Sequence, residues 1–142
     1  MKTISIDAER HSPKRTTITT ADGEFIIGQE GSPLEYLLGS LAGCINVIGT
    51  LVADDMGIEI ESLTIDIDGE IDPSRYLGKT DDGQAGFQSL AIDVEVETDA
   101  SEETVEEWLG RVQDRCPVAE NLRDGTDLSV TLQSGIVAGA DD

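Results

Sequence analysis

The chain has two cysteines, Cys44 and Cys116, and they are its most reactive side chains. A cysteine thiolate can act as a nucleophile, bind a metal or form one half of a disulfide. Two widely separated cysteines do not make the disulfide framework of a small secreted domain. They are either small buried apolar side chains or redox-active thiols. The helices or strands that carry the two cysteines help to decide between these roles.

Cys44 lies inside a segment with helix signals at both ends. Ser32 suits the N-cap, Pro33 suits the first helical position and Gly57 suits the residue after the last turn. Between these signals the segment is apolar on nearly every face. A thiol with only apolar neighbours has a raised pKa and is inert, so Cys44 taken alone fits a small buried hydrophobe.

Cys116 stands at a predicted break between two helices. Pro117 ends the helix that begins near Ser101, and it can start a short helix of its own. A thiolate at that N-terminus would face unpaired N–H groups, which lower its pKa. Cys116 also lies four residues after Val112 on the apolar stripe of the preceding helix, so we expect it to point toward the core. Two helices that each direct a cysteine into one core favour a dithiol site.

The other chemistry-bearing residues give weaker signals. His11 is the only histidine, it lies in a predicted turn, and its spacing from the cysteines is not that of zinc ligands. The glycines fall in turns and helix contacts rather than in a phosphate-binding motif. We therefore expect no metal and no cofactor.

The elements predict an α+β domain with the order βββ-α-ββ-α-β. Six segments carry the alternation or turn signals of strands. They are Thr3–Glu9, Arg15–Thr20, Phe25–Ile27, Leu63–Ile71, Leu90–Val96 and Leu128–Leu132. The connection Pro73–Gly86 is predicted to be a surface loop. Residues 1–134 then form a single domain, and residues 135–142 form a flexible acidic tail.

The central helix is apolar enough to suggest a membrane span. Glu35, Asn46 and Thr50 interrupt it, however, and neither end is flanked by arginine or lysine. A helix that is apolar all round is otherwise buried in a globule or a dimer. Gly39 and Gly43 would allow another helix to approach closely. We expect burial against protein and no membrane.

Thirty acidic and nine basic residues give the chain a net charge of −21. This charge repels phosphate backbones and anionic lipid surfaces, so it argues strongly against nucleic-acid binding. A surface rich in carboxylates repels itself in dilute salt, and high salt screens that repulsion. The composition, with no long apolar run at the N-terminus, predicts a cytoplasmic protein of a salt-loving organism. The alternative is an acidic protein of an ordinary cytosol.

Two motifs carry a resemblance to a known family. The segment Ser32–Cys44, SPLEYLLGSLAGC, resembles the central-helix signature of the OsmC/Ohr family of osmotically induced and organic hydroperoxide resistance proteins. The segment Arg115–Val118, RCPV, resembles the second motif of that family. The order of elements is similar from about Lys2 to Leu132. With its acidic composition, the chain is identified as a haloarchaeal-type member.

The resemblance implies an intertwined homodimer whose central helices are buried between the subunits. It also implies a peroxide reductase in which Cys44 lies in the substrate pocket and is oxidised to a sulfenic acid. Cys116 would resolve that acid as a disulfide, and a dithiol reductant would restore both thiols. The implied partners are thus a second copy, a hydroperoxide and a dithiol.

The chain departs from the pattern of that family in two respects. Active hydroperoxide reductases of the family pair an arginine before the central helix with a glutamate just after its proline. Leu34 stands at the glutamate position and Glu35 follows it, while Glu24–Gly31 contains no arginine. We take Glu35 and Arg115 as supporting residues of the site.

Two interpretations follow from these features. In the first, the chain is a thiol peroxidase in which Arg115, Arg10 or Arg15 supplies the cation. In the second, it is a non-catalytic protein that binds a small apolar ligand at the dimer interface and keeps its cysteines buried. The two cysteines favour the first interpretation, and the missing arginine favours the second.

Overall fold

The computed structural model describes residues 1–133, which form five strands and three helices. These are β1 Asp7–Ser12, β2 Arg15–Thr19, β3 Glu24–Ile27, α1 Pro33–Met56, β4 Ser62–Glu70, β5 Ser89–Glu97, α2 Glu102–Arg115 and α3 Pro117–Asp124. This mixture confirms the α+β class. The predicted tail, residues 135–142, lies outside the described residues.

Helix α1 begins and ends at the residues that its capping signals predict. The Ser32 hydroxyl accepts a hydrogen bond from the Glu35 N–H at 3.2 Å, and the Glu35 carboxylate accepts one from the Ser32 N–H at 2.9 Å. This reciprocal capping box satisfies two N–H groups that the helix itself cannot pair. At the other end Gly57 adopts a left-handed conformation with φ of 71°, which releases the chain toward β4.

Strands β1, β2 and β3 form an antiparallel meander. The predicted bounds of β1 lie too far toward the N-terminus. The strand pairs with β2 from Asp7 to Ser12, whereas the alternation predicts a strand over Thr3–Glu9. The tight turn at Pro13–Lys14 sets this register, and β2 ends at Thr19. Within residues 1–133, the residues before Asp7 therefore have no partner strand.

The meander is joined to α1 by aromatic contacts. The rings of Phe25 and Tyr36 stack with centroids 5.9 Å apart, and the Tyr36 hydroxyl donates to the Ile26 carbonyl at 3.3 Å. Phe25 itself remains 42% exposed. The meander therefore rests on the start of α1 rather than on the core.

Strands β4 and β5 form a separate two-stranded antiparallel sheet, paired from Ser62–Glu97 to Glu70–Ser89. Its apolar side chains lie on one face and pack against the core, while its acids lie on the other. The period of two in the sequence predicts this two-sided arrangement.

The core lies between α1 and α2 and is organised around Trp108. The Trp108 ring is 2% exposed, and its Nε1–H donates to the Gly49 carbonyl at 2.8 Å. A Cβ at Gly49 would lie only 2.8 Å from that ring, so glycine permits this close approach. By length and composition α1 could cross a membrane. Its buried residues Leu41, Ile45 and Val52, however, belong to this core.

The predicted last strand is not formed within the described chain. Residues 125–133 belong to no strand, and Leu128, Val130 and Leu132 are 80%, 88% and 77% exposed. The alternation of apolar residues predicts a strand with one buried face, but neither sheet of the described residues pairs with this segment. The short helix expected after Cys116 is formed and is α3.

The connection between β4 and β5 is held together by Arg75. Its guanidinium donates to the carbonyl of Asp81 and, at 2.8 Å, to that of Gly83. The connection is therefore an ordered turn-rich loop. Its last residues, Gly86–Gln88, reach the wall of a cavity beside the cysteines.

Candidate functional site

The structure brings the two cysteines into contact. The Sγ atoms of Cys44 and Cys116 are 3.0 Å apart, and both thiols are free. Cys44 lies in the middle of α1, and Cys116 stands at the junction where α2 ends and α3 begins. A disulfide needs about 2.05 Å, so an approach of roughly 1 Å would join them.

The backbone at Cys116 explains why its side chain reaches α1. Pro117 excludes a helical conformation for the preceding residue, and Cys116 accordingly has φ of −79° and ψ of 110°. Cys116 is both the C-cap residue of α2 and the N-cap residue of α3. The side chain is 1% exposed and packs within the core cluster.

The surroundings of Cys44 favour its neutral thiol. Burial is the main cause that raises the pKa of Cys44 above its usual value, and the hydrogen bond with Cys116 raises it further. The N–H of Val118 acts in the opposite direction, because a donor to sulfur stabilises the thiolate.

The start of α3 therefore directs an N–H group at Cys44 rather than at Cys116. The sequence predicts that its N–H groups face Cys116, but the Val118 N–H is directed at Cys44, and Cys116 makes no side-chain capping bond. The reason is that Cys116 points back toward α1, which leaves the first turn of α3 over Cys44.

We expect the alkylation of Cys44 by iodoacetamide to keep accelerating above about pH 9, the ordinary thiol value. A raised pKa means that the thiolate, which is the reacting species, accumulates only at higher pH. Peptide mass mapping of labelled protein across a pH series measures the rate at Cys44. The urea-unfolded chain, in which the thiol is solvated, is the control and should level off earlier. A native profile that levels off with the unfolded one would contradict this expectation.

An apolar cavity of about 620 Å³ lies beside the thiols, bounded by α1, β5, α2 and α3. Its walls include Leu41, Ile45 and Val112. The thiol in this wall is Cys116, and Cys44 is not among the described residues that line it. In the single chain Cys116 therefore lies between this cavity and Cys44. The expectation that Cys44 lies in a substrate pocket stays a prediction, because that pocket requires the second subunit.

The two predicted supporting residues lie in structural contacts. Glu35 is exposed and completes the capping box of α1, and its bonds to Ser32 lower its pKa. Arg115 Nη1 pairs with Asp55 Oδ2 at 2.9 Å and ties the end of α2 to the end of α1. Within the described residues neither side chain is hydrogen-bonded to a sulfur.

Sequence reasoning missed two groups near the thiols. One is the Val118 N–H, and the other is Arg123, whose side chain reaches the cavity from the last turn of α3. The spacing of Ala119, Leu122 and Arg123 places them on one face of a helix and is the signal that could have found this wall.

The sequence model of OsmC-like proteins matches residues 27–131, a stretch that includes α1, both thiols and the cavity wall. The chain belongs to the OsmC-like protein family. This OsmC-like chain is 29% identical over 105 residues to a hydroperoxide reductase of Mycoplasma pneumoniae, a match covering 74% of this chain and 71% of that protein.

Solved structures show the same fold. An OsmC-like protein of Mycoplasma pneumoniae superimposes with a TM-score of 0.76 at 22% identity, covering 87% of this chain and 89% of that one. The organic hydroperoxide resistance protein OhrB of Bacillus subtilis gives a TM-score of 0.57 at 21% identity, over 89% and 94% of the two chains. The OsmC-like fold proposed from the two motifs is therefore confirmed.

Proposed function

We propose that the chain is a thiol-dependent hydroperoxide reductase that uses Cys44 and Cys116 as a redox pair. The observation that supports this most is the 3.0 Å separation of two free sulfurs carried by different helices. The names of related family members, a hydroperoxide reductase and a hydroperoxide resistance protein, support the same chemistry.

The oxidation half of the proposed reaction needs only the two thiols and the peroxide, and a dithiol completes the cycle. The Cys44 thiolate attacks the outer oxygen of the hydroperoxide, the O–O bond breaks, and the leaving alkoxide takes up a proton to become an alcohol. Cys44 is then a sulfenic acid. The Cys116 sulfur attacks the Cys44 sulfur, water leaves, and a disulfide forms. A dithiol reductant returns both thiols and is itself oxidised to a disulfide.

Two observations favour Cys44 as the cysteine that reacts first. The Val118 N–H is directed at the Cys44 sulfur, and a donor to sulfur stabilises the charge that forms on it. Cys44 is also half-buried, whereas Cys116 is 1% exposed. A thiolate is the nucleophilic form of cysteine, so the sulfur that has an N–H donor and is more accessible is suited to attack the peroxide.

One observation favours a second candidate, a non-catalytic protein that binds a small apolar ligand. Burial raises the pKa of Cys44, and the described groups that act on that pKa include no cation. A neutral thiol beside an apolar cavity is a poor nucleophile but a good wall for an apolar ligand. Consumption of tert-butyl hydroperoxide with dithiothreitol as reductant separates the two, because only the reductase oxidises the dithiol.

We further propose that the protein is a homodimer in which α1 is buried against its counterpart. Val47 and Leu51 are 59% and 47% exposed on α1, and a Cβ at Gly39 or Gly43 would meet nothing within 4 Å. The unpaired segment with Leu128, Val130 and Leu132 exposes further apolar surface. So much uncovered apolar area is unusual for a monomer.

Light scattering in molar potassium chloride should give twice the 15.1 kDa of one chain. Leu51→Glu should shift the population toward the monomer, because it places a charge on the open face of α1. Leu77→Glu is the matched control, since Leu77 is 56% exposed on the connection between β4 and β5. A wild-type chain that elutes and scatters as a folded monomer would disprove the dimer.

The acidic surface supports a cytoplasmic protein adapted to salt, which we also propose. On the open face of the β4–β5 sheet, Asp66 lies directly opposite Asp93, and both are exposed. Like charges opposite each other on a sheet are destabilising, and salt screens the repulsion. This arrangement suits a protein that works in concentrated salt.

A further inference from the structure

The thiol pair of Cys44 and Cys116 has the arrangement of a bidentate ligand. The two sulfurs lie 3.0 Å apart and both are free. The helices that bring them together are in contact through Trp108, whose indole N–H donates to the Gly49 carbonyl of α1. The sulfurs are therefore held close to each other before any ligand arrives. A soft element that accepts two thiolates from one chain would need little rearrangement of the helices.

The spacing of the sulfurs discriminates between bond angles at the atom that they bind. With bonds of about 2.3 Å, the length of a Zn–S bond, a linear S–metal–S unit needs sulfurs about 4.6 Å apart. A unit bent to a right angle, with bonds of the same length, needs them only about 3.3 Å apart. The observed 3.0 Å is close to the second value and far from the first. The pair thus suits a pyramidal centre such as trivalent arsenic better than a linear centre such as mercury(II).

The chain offers such a centre two sulfur ligands and no more. The sequence contains no third cysteine, and the described residues form no cluster of three or more His, Cys, Asp or Glu side chains that could hold a metal ion. A structural zinc ion takes four ligands of these types, so the pair alone does not satisfy it. A monosubstituted trivalent arsenical needs only two thiolates, because its third bond is already made to carbon.

The binding reaction of such an arsenical suits neutral thiols. When R–As=O reacts with the pair, two As–S bonds form, and the oxygen takes up both thiol protons and leaves as water. Arsenic stays trivalent, so the step needs no oxidant and no reductant. A metal cation instead has to displace the thiol protons, which the raised pKa of Cys44 disfavours.

The organic group on arsenic has apolar surroundings available. Cys116 is only 1% exposed, but it lines the cavity of about 620 Å³ whose walls include Leu41, Ile45 and Val112. A cavity of about 150 Å³ already admits benzene, so an aryl group fits beside the thiols. The pair can therefore be reached through this cavity as well as from the half-buried side of Cys44.

We propose that Cys44 and Cys116 form a chelating site for monosubstituted trivalent arsenicals, in which arsenic bridges the two sulfurs of one chain and its organic group lies in the cavity. This site goes beyond the proposed reductase function, because it depends on the spacing of the sulfurs and involves no peroxide. An arsenical bound there occupies both thiols at once.

Phenylarsine oxide is the probe that tests this site. Intact-mass analysis should show one phenylarsenic group per wild-type chain, retained in excess glutathione, a monothiol, and removed by dimercaptopropanol, a dithiol. Cys44→Ser and Cys116→Ser each leave one thiol, so they should bind the arsenical at least about a hundredfold more weakly, because the second bond is no longer made within one molecule. Emission of Trp108, which is 2% exposed, shows whether each variant is folded. Cys116→Ala replaces Cys116→Ser where a buried hydroxyl disturbs the core.

Three results would overturn the proposal. One is equal affinity of the wild type and both folded variants for phenylarsine oxide. Another is two phenylarsenic groups per wild-type chain, since each sulfur would then hold its own arsenic. The third is a covalent dimer on a denaturing gel, since arsenic would then join two chains.

Consumption of tert-butyl hydroperoxide separates this site from the reductase function. If the wild type binds the arsenical as described but consumes no peroxide, the reductase proposal fails and the arsenical site stands. If it consumes peroxide but does not hold arsenic between its two sulfurs, the reductase stands and the arsenical site is wrong.

Discussion

Replacement of Cys44 by serine is expected to reduce the consumption of tert-butyl hydroperoxide to the uncatalysed rate. A serine hydroxyl cannot form a sulfenic acid, and Cys116 alone is 1% exposed and makes no hydrogen bond with an N–H at the start of α3. Oxidation of dithiothreitol, followed with a coupled peroxide assay, gives the rate. Serine is close to cysteine in size, so the fold should be preserved.

Cys116→Ser is the matched variant, and its expected result is different. Cys44 and the Val118 N–H directed at it are unchanged in this variant, so the first oxidation should proceed, but no disulfide can form. Cys44 should accumulate as a sulfenic acid that dimedone traps, and excess peroxide should carry it to the sulfinic acid. Mass mapping distinguishes these species. If both thiols stay reduced in the native wild type under excess peroxide, the redox role is wrong and the ligand-binding alternative gains support.

Trp108→Ala should lower the free energy of unfolding by about 3–5 kcal/mol, the usual cost of truncating a buried tryptophan. The loss has two sources, a cavity between α1 and α2 and an unpaired Gly49 carbonyl. Urea unfolding at a fixed protein concentration measures it, because the stability of an oligomer depends on concentration.

Two control variants separate these sources. Trp108→Phe keeps most of the ring volume but removes the N–H donor, so it should cost clearly less than the alanine variant. Tyr76→Ala truncates an aromatic that is 54% exposed on the β4–β5 connection and should change stability little. An unfolding midpoint for Trp108→Ala equal to that of Tyr76→Ala would show that the α1–α2 contact does not support the fold as described.

Much of the fold follows from local signals in the sequence. The bounds of α1 are predictable because Ser32, Pro33 and Gly57 each satisfy a specific backbone requirement at a helix end. The break at Cys116 is predictable because proline restricts the residue before it. The contact of Trp108 with α1 is only half predictable, since the apolar stripe places the ring in the core while Gly49 decides how closely it approaches.

Other features depend on contacts that no local pattern encodes. The register of β1 is fixed by a two-residue turn, so the alternation around Ile4 and Ile6 misplaces the strand. The segment around Leu128 alternates as a strand does, but a strand also needs a neighbouring strand to pair with. Within the described residues no strand pairs with this segment. The direction of the Val118 N–H toward Cys44 follows from how two helices cross, which spacing within one helix cannot reveal.

The position of Trp108 gives the protein an optical reporter of its own. It is the chain's single tryptophan, shielded from water and hydrogen-bonded through its indole nitrogen to α1. Trp108 lies on α2 and packs against α1. Each of these helices brings one cysteine to the thiol pair, since Cys44 lies within α1 and Cys116 lies at the end of α2. Any shift of α2 against α1 that accompanies formation of the sulfur–sulfur bond changes the surroundings of the indole. Intrinsic fluorescence can therefore follow the redox cycle in real time without a label.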